Sequence, residues 1–203
     1  MTKKHDIIWL DVTDSTNEEA ARQIQKLDNL SVLSAGTQTS GRGQRSNVWM
    51  SEPGMNLTFS IVLKYNQPDV SEAGRLPSFM AKDQKLVSDM TAASVLEFLA
   101  NHGIEGTIKL PNDILVDGRK ICGILIEHSV RGQYLTHSII GIGLNVNQRC
   151  FDATIPNPVS MLLVKEERKD PALKELDLNL CLEEFMDIFI RALQQLLPQD
   201  SLL

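Results

Sequence analysis

Cysteine is scarce in this chain: Cys122, Cys150 and Cys181 stand far apart among 203 residues. So few, so widely spaced, exclude a disulfide framework and a cysteine zinc site. Long apolar runs are missing as well. No stretch reaches the roughly 18 residues that a membrane-crossing helix needs, and Ile7–Leu10 is too short for the apolar part of a signal peptide. The expectation is a cytoplasmic protein with no membrane contact. Basic charge is also in deficit, 20 Lys and Arg against 26 Asp and Glu, for a net charge of −6. That sign argues against a general nucleic-acid coat, which needs a broad basic face. Linkers, low-complexity tracts and internal repeats are absent, so one continuous domain is expected. What is present suffices for a packed core, since 42% of the residues are hydrophobic.

Periodicity divides the chain into alternating elements. Ile7–Val12 reads as a strand, and Asp14-Ser15-Thr16-Asn17 supplies capping side chains for a helix carrying Ala20, Ala21, Ile24 and Leu27. Ser31–Ala35 is a second strand that ends in a polar segment, Gly36–Ser51. Met55, Leu57, Phe59, Ile61 and Leu63 alternate with Asn56, Thr58, Ser60 and Val62, which predicts a half-buried strand. A helix is predicted from about Asp83 to Asn101, stopped by Gly103. A short strand at Thr107–Lys109 precedes a hairpin of Ile114–Val116 and Lys120–His128 around Asp117-Gly118. The turn at Arg131–Gln133 leads into the long strand Tyr134–Asn145. The tail, about Asp177 to Leu197, reads as an amphipathic helix with Leu180, Phe185, Ile188, Phe189 and Leu193 on its apolar side. The fold class is α+β: a mixed, mostly antiparallel sheet flanked by helices.

One further absence is local. From Asn29 through Ser51 there is no Asp or Glu, although the chain as a whole is acidic. That window holds Gly41-Arg42-Gly43-Gln44-Arg45-Ser46-Asn47-Val48-Trp49. Its glycines allow close approach of the backbone to a ligand, and its arginines offer forked donors to carboxylate or phosphate. Neither a dinucleotide-binding fingerprint nor a P-loop is present, because Ser46 replaces the third glycine and no Gly-Lys-Ser/Thr follows. Lys109-Leu110-Pro111-Asn112-Asp113 places a lysine at a strand end. In Gly141-Ile142-Gly143-Leu144-Asn145-Val146-Asn147 a strand is thinned by glycine, as for the close approach of a ligand or another backbone. The four histidines, His5, His102, His128 and His137, lack metal-ligand spacing and read as structural or surface groups.

Taken in order, Asp-Ser-Thr-Asn, Gln-Thr-Ser-Gly-Arg-Gly-Gln-Arg-Ser-Asn-Val-Trp, Lys-Leu-Pro-Asn-Asp-Ile, Arg-Lys-Ile-Cys-Gly-Ile-Leu-Ile-Glu and Gly-Ile-Gly-Leu-Asn-Val-Asn resemble the catalytic domain of biotin–protein ligases (biotin–[acetyl-CoA-carboxylase] ligases) from about Trp9 to Asn147. The resemblance implies the class II synthetase-like fold shared with lipoate ligases. It implies activation of biotin by ATP, with Mg²⁺ carried on the nucleotide, to biotinyl-5′-AMP and pyrophosphate. Biotin then passes to a lysine of a biotin carboxyl carrier protein domain. By motif position Ser15, Thr16, Asn17, Gln38, Gly41, Arg42, Gly43, Gln44 and Lys109 are the implied biotin site. Arg45, Trp49, Asn112, Lys120 and Asn145 are the implied adenylate site, and Lys109 and Arg42 are the implied catalytic cations. No protein ligand to a metal is implied.

Three departures from the family pattern stand out. Gln44 occupies a position commonly arginine, Leu110 one usually tryptophan, and the family's small C-terminal β domain is expected to be absent. The N-terminal helix-turn-helix of repressor-type members is likewise not expected, and with it DNA binding. A homodimer stays open. Two rival readings are a lipoate ligase or octanoyl transferase on the same fold, and a non-catalytic sensor of biotin or its adenylate.

Overall fold

The structure, a computed structural model, describes residues 5–111 and 113–197. Seven strands form one sheet. At one edge β1 (Asp6–Thr13) runs parallel to β2 (Ser31–Gln38), and helix α1 (Thr16–Gln23) makes the crossover between them. Every other pairing is antiparallel. β3 (Leu57–Lys64) lies between β2 and the long strand β7 (Tyr134–Leu144), which pairs in turn with β6 (Arg119–Arg131). β5 (Asp113–Val116) and β4 (Thr107–Lys109) finish the far edge, so the spatial order is β1-β2-β3-β7-β6-β5-β4.

The two faces of the sheet are covered by different helices. Leu57, Phe59, Ile61 and Leu63 of β3 join a large core with residues of α2 (Gln84–Asn101) and α4 (Leu178–Leu196), where Phe185 packs edge-on against Phe59 with ring centroids 5.3 Å apart. On the opposite face Ala20 and Leu27 cover Leu33, Val62 and Ile139. β3 is therefore buried on both sides along Leu57–Leu63, not half-buried as its alternation predicts. Its polar positions escape solvent because they bond inward: Thr58 Oγ1 donates to Ala35 O at 2.8 Å, and Ser60 meets the start of α1. An antiparallel strand reads as half-exposed until a helix lands on its second face.

Turn chemistry matches its sequence signals. Asp117 and Gly118 both take positive φ (50° and 74°) in the β5–β6 hairpin, and Gly103 (74°) ends α2. Four local expectations need correction. Ser15 is the residue that enters α1, yet no side chain caps the helix. Asp14 instead accepts from Ser15 N at 2.7 Å and from the Arg22 guanidinium, which holds its carboxyl well below the usual carboxylate range. β2 continues through Gln38, three residues into the segment read as polar loop. A short helix, α3 (Met161–Glu167), has no counterpart in the periodicity; Ser160 Oγ caps it by accepting from Leu163 N. Leu180 lies 69% exposed on the outer side of α4, off the apolar stripe assigned to it.

Candidate functional site

A cavity of about 280 Å³ opens on the α1 side of the sheet. Three chain segments wall it in: the start of α1, the loop after β2, and the end of β4. Its floor is the facing stretch of β6 and β7, where Gly123 pairs directly with Gly143 and Leu125 with Gly141. The glycines are sterically required here. A Cβ on Gly143 would lie 2.3 Å from the Trp49 indole, and one on Gly141 would lie 2.4 Å from Asn17 Oδ1. So the glycine-thinned strand makes room for two side chains of the same chain.

Ser15, Thr16 and Asn17 line the cavity with uncharged polar groups, together with Gln38 at the tip of β2. Gln38 Oε1 accepts from Thr16 N at 2.8 Å and from Thr16 Oγ1 at 3.2 Å. Asn17 is buried, its Oδ1 accepting from Ser60 Oγ at 2.6 Å and its Nδ2 donating to Glu127 Oε2 at 2.8 Å. The start of α1 is thereby bonded to both β2 and β6.

The acid-free loop folds back on itself. Trp49 N donates to Gly41 O at 2.9 Å and Gly43 N to Asn47 O at 2.7 Å, around a 3₁₀ turn at Gln44–Ser46. Gly41 permits this closure, because a Cβ there would lie 2.3 Å from Trp49 O. The Arg42 guanidinium pairs with Glu18 and with Glu127, the latter at 2.9 Å. Lys120 pairs with Asp113 at 2.7 Å and holds its ammonium 5.6 Å from the Trp49 ring centroid, close enough for cation–π attraction. Lys109 carries no ion pair among the described residues. Four cations (Arg42, Arg45, Lys109 and Lys120) thus line one cavity against a single lining carboxylate, Asp113.

Of the residues singled out in sequence, Ser15, Thr16, Asn17, Gln38, Arg42, Gly43, Gln44, Arg45, Trp49, Lys109 and Lys120 all line this cavity. Gly41 is buried just behind it. Asn145 stands apart from the lining: it lies buried past the end of β7, with Nδ2 donating to Val159 O at 3.0 Å. Asn112 falls outside the described residues. Sequence reading misses Glu18, Ser60, Asp113, Gly123 and Glu127. Glu127 closes the quoted Arg-Lys-Ile-Cys-Gly-Ile-Leu-Ile-Glu motif, a signal that could have found it. Cys122, in the same motif, is fully buried, and burial pushes its thiol far above the ordinary range. No group of three His, Cys, Asp or Glu side chains able to hold a metal occurs among the described residues.

Comparison with known proteins agrees with this geometry. The model of the biotin/lipoate A/B protein ligase family matches residues 9–145. The bifunctional ligase/repressor BirA of Bacillus subtilis is 36% identical over 147 residues, covering 72% of this chain and 42% of that protein. Biotin–protein ligase 2 of Arabidopsis thaliana is 30% identical over 193 residues, covering 91% of this chain and 54% of its own length. The chain therefore spans about half the length of these curated relatives. Among solved structures, the biotin protein ligase of Aquifex aeolicus in complex with biotin and ATP superposes with a TM-score of 0.69 at 26% identity, covering 94% of this chain and 71% of that one. The fold implied by the sequence motifs is the fold observed, and the chain belongs to the biotin/lipoate A/B protein ligase family.

Proposed function

We propose that the protein is a biotin–protein ligase, which joins biotin to ATP and then hands the biotinyl group to a lysine of a carboxyl carrier domain. The observation that carries this reading is one cavity lined by two chemically distinct sets of groups. The polar set offers hydroxyls and an amide with both donors and acceptors, which suit a ureido ring. The dithiolane ring of lipoate offers no such groups, and this favours biotin over the lipoate and octanoyl alternatives.

The second set is the cations that the chemistry demands. A carboxylate oxygen of biotin attacks the α-phosphorus of ATP, the bond to the bridging oxygen breaks, and pyrophosphate leaves. Two anions must meet, so fixed positive charge has to hold the oxygens and offset the charge that develops. Lys109, unpaired among the described residues, is assigned to the carboxylate and α-phosphate. Arg42 and Arg45 are assigned to the phosphate side, and Lys120 beside Trp49 to the nucleotide. Magnesium would arrive on the nucleotide phosphates and supply further charge there; with Asp113 tied to Lys120, no protein cage is built for it among the described residues. The loop shields the mixed anhydride from water until the acceptor amine arrives. The acceptor amine then attacks the activated carbonyl and AMP leaves.

Biotin-dependent exchange of labelled pyrophosphate into ATP tests the reading. Exchange with biotin and none with lipoate is expected. Lys109→Ala should lower it about a hundredfold or more, the scale of losing a charge-stabilising group at a reacting centre, while the melting temperature hardly moves because Lys109 is exposed. Binding of biotin without exchange would identify a sensor instead.

A further inference from the structure

We infer that Glu127 is the positioning residue of this site: its carboxylate fixes the direction of a hydrogen-bond relay that runs from Arg42 to Thr16. The inference rests on the biotin-ligase reading above and deepens it. The carboxylate ties two parts of the site together. Oε1 accepts from Arg42 Nη2 at 2.9 Å, and Oε2 from Asn17 Nδ2 at 2.8 Å and more distantly from Arg42 Nη1 at 3.4 Å. A surface ion pair alone would carry little weight, but the second bond reaches a side chain that is only 3% exposed.

The direction of the relay follows from what each group can do. An ionised carboxylate only accepts, as does the Leu125 carbonyl that Asn17 Nδ2 also reaches at 3.3 Å, so Asn17 turns its Nδ2 towards both and its Oδ1 towards Ser60. Ser60 owns one hydroxyl proton, which goes to that Oδ1 at 2.6 Å. Thr16 Oγ1, 2.7 Å away, is the other acceptor within its reach and goes without that proton. The Thr16 proton goes to Gln38 Oε1, and the Thr16 lone pairs are left to accept from the ligand. Thr16 N holds Gln38 through the same Oε1, which leaves Gln38 Nε2 as a donor beside Gly41. Were Asn17 to flip, Ser60 would give its proton to Thr16 and occupy a lone pair that a ureido N–H needs. Glu127 and the Leu125 carbonyl together oppose the flip, and Glu127 at the same time pins Arg42 over the cavity. It does not line the cavity, so it acts through others.

The test is biotin affinity by calorimetry without ATP, paired with exchange kinetics. Glu127→Gln keeps the shape but gives one oxygen and one amide to two donors. It should weaken biotin about tenfold or more, raising KM for biotin more than it lowers kcat. The double variant Asn17→Asp with Glu127→Gln restores the original direction, since the carboxylate introduced at position 17 accepts both from the amide introduced at position 127 and from Ser60. It should bind biotin more tightly than Glu127→Gln alone. Ser60→Ala cuts the relay downstream with the Arg42 pair intact, and should weaken biotin to a similar degree. Wild-type affinity in both Glu127→Gln and Ser60→Ala, or strictly additive losses in the double variant, would overturn the inference. Wild-type protein that fails to exchange pyrophosphate with biotin would instead sink the biotin-ligase reading itself.

Discussion

Arg45 carries a conflict within one residue. Its backbone sits in the left-handed region at φ 55°, ψ 41°, a conformation that favours glycine, while its side chain lines the cavity as one of four cations. Two effects therefore separate on substitution. Arg45→Gly should relieve backbone strain and raise stability by about 0.5–1 kcal/mol. The same change removes a charge-assisted contact worth on the order of 1.5–3 kcal/mol, so the biotinyl adenylate should leave about ten- to a hundredfold faster. Urea unfolding and rapid dilution of preformed adenylate complex measure the two. A protein that becomes more stable but retains its adenylate would show that Arg45 is strained for some other purpose. Neighbouring Gln44, at a position commonly arginine in the family, also lines the cavity. Gln44→Arg should slow release in the same assay, unless Arg45 already saturates the phosphate oxygens. If neither Gln44→Arg nor Arg45→Ala alters the rate, the loop does not hold the phosphate through these side chains.

At the scale of elements, the β2–β3 loop is seated by the tryptophan that closes its turn. The Trp49 indole lies across the paired glycines Gly123 and Gly143, and its Nε1 is buried without a hydrogen-bond partner among the described residues. An added Cβ would be 2.3 Å from the ring at Gly143 but 3.0 Å at Gly123. Gly143→Ala should therefore unseat the indole, lower exchange about tenfold or more through lost positioning, and shift Trp49 fluorescence to the red in a Trp9→Phe background. Gly123→Ala should do much less, and an equal effect of the two would refute the seating. The Gly-x-Gly spacing is visible in sequence as a place of close approach, but its occupant is not. Nothing local in Gly141–Asn147 names a tryptophan from another strand connection. Asn145 shows the converse: its motif position suggests a ligand contact, and the bond of its Nδ2 to Val159 O is a tertiary contact that only the fold reveals.

For the whole molecule, turn chemistry places the short strands β4 and β5, and periodicity locates the longer strands and the three longer helices because each exposes a distinct repeat. It misses α3, which is too short to show one, and the second buried face of β3, which depends on where α1 lands. The same double coverage gives the protein a pH response. His128 and His137 lie half-buried on the paired strands β6 and β7; burial lowers both imidazole pKa values below 6.5, and the charge of Lys64 adds to the effect at His137. His128 Nδ1 lies 2.8 Å from Ser138 Oγ, which in turn lies 3.2 Å from the Tyr65 phenol, and the outer side of His128 faces a groove shared with Lys85 and Asp89 of α2. With the folded value below the unfolded one, the unfolded chain binds more protons as pH falls through 6.5, so stability drops there. Asp14, Glu19 and Glu167 have lowered values, and their contribution is lost only further down, below the ordinary carboxylate range. Two separate steps are expected when urea midpoints are measured from about pH 7.5 to about pH 3. His128→Gln combined with His137→Gln should erase the upper step and spare the lower. A wild-type midpoint that stays flat until about pH 4.5 would mean that neither imidazole is held neutral by the fold.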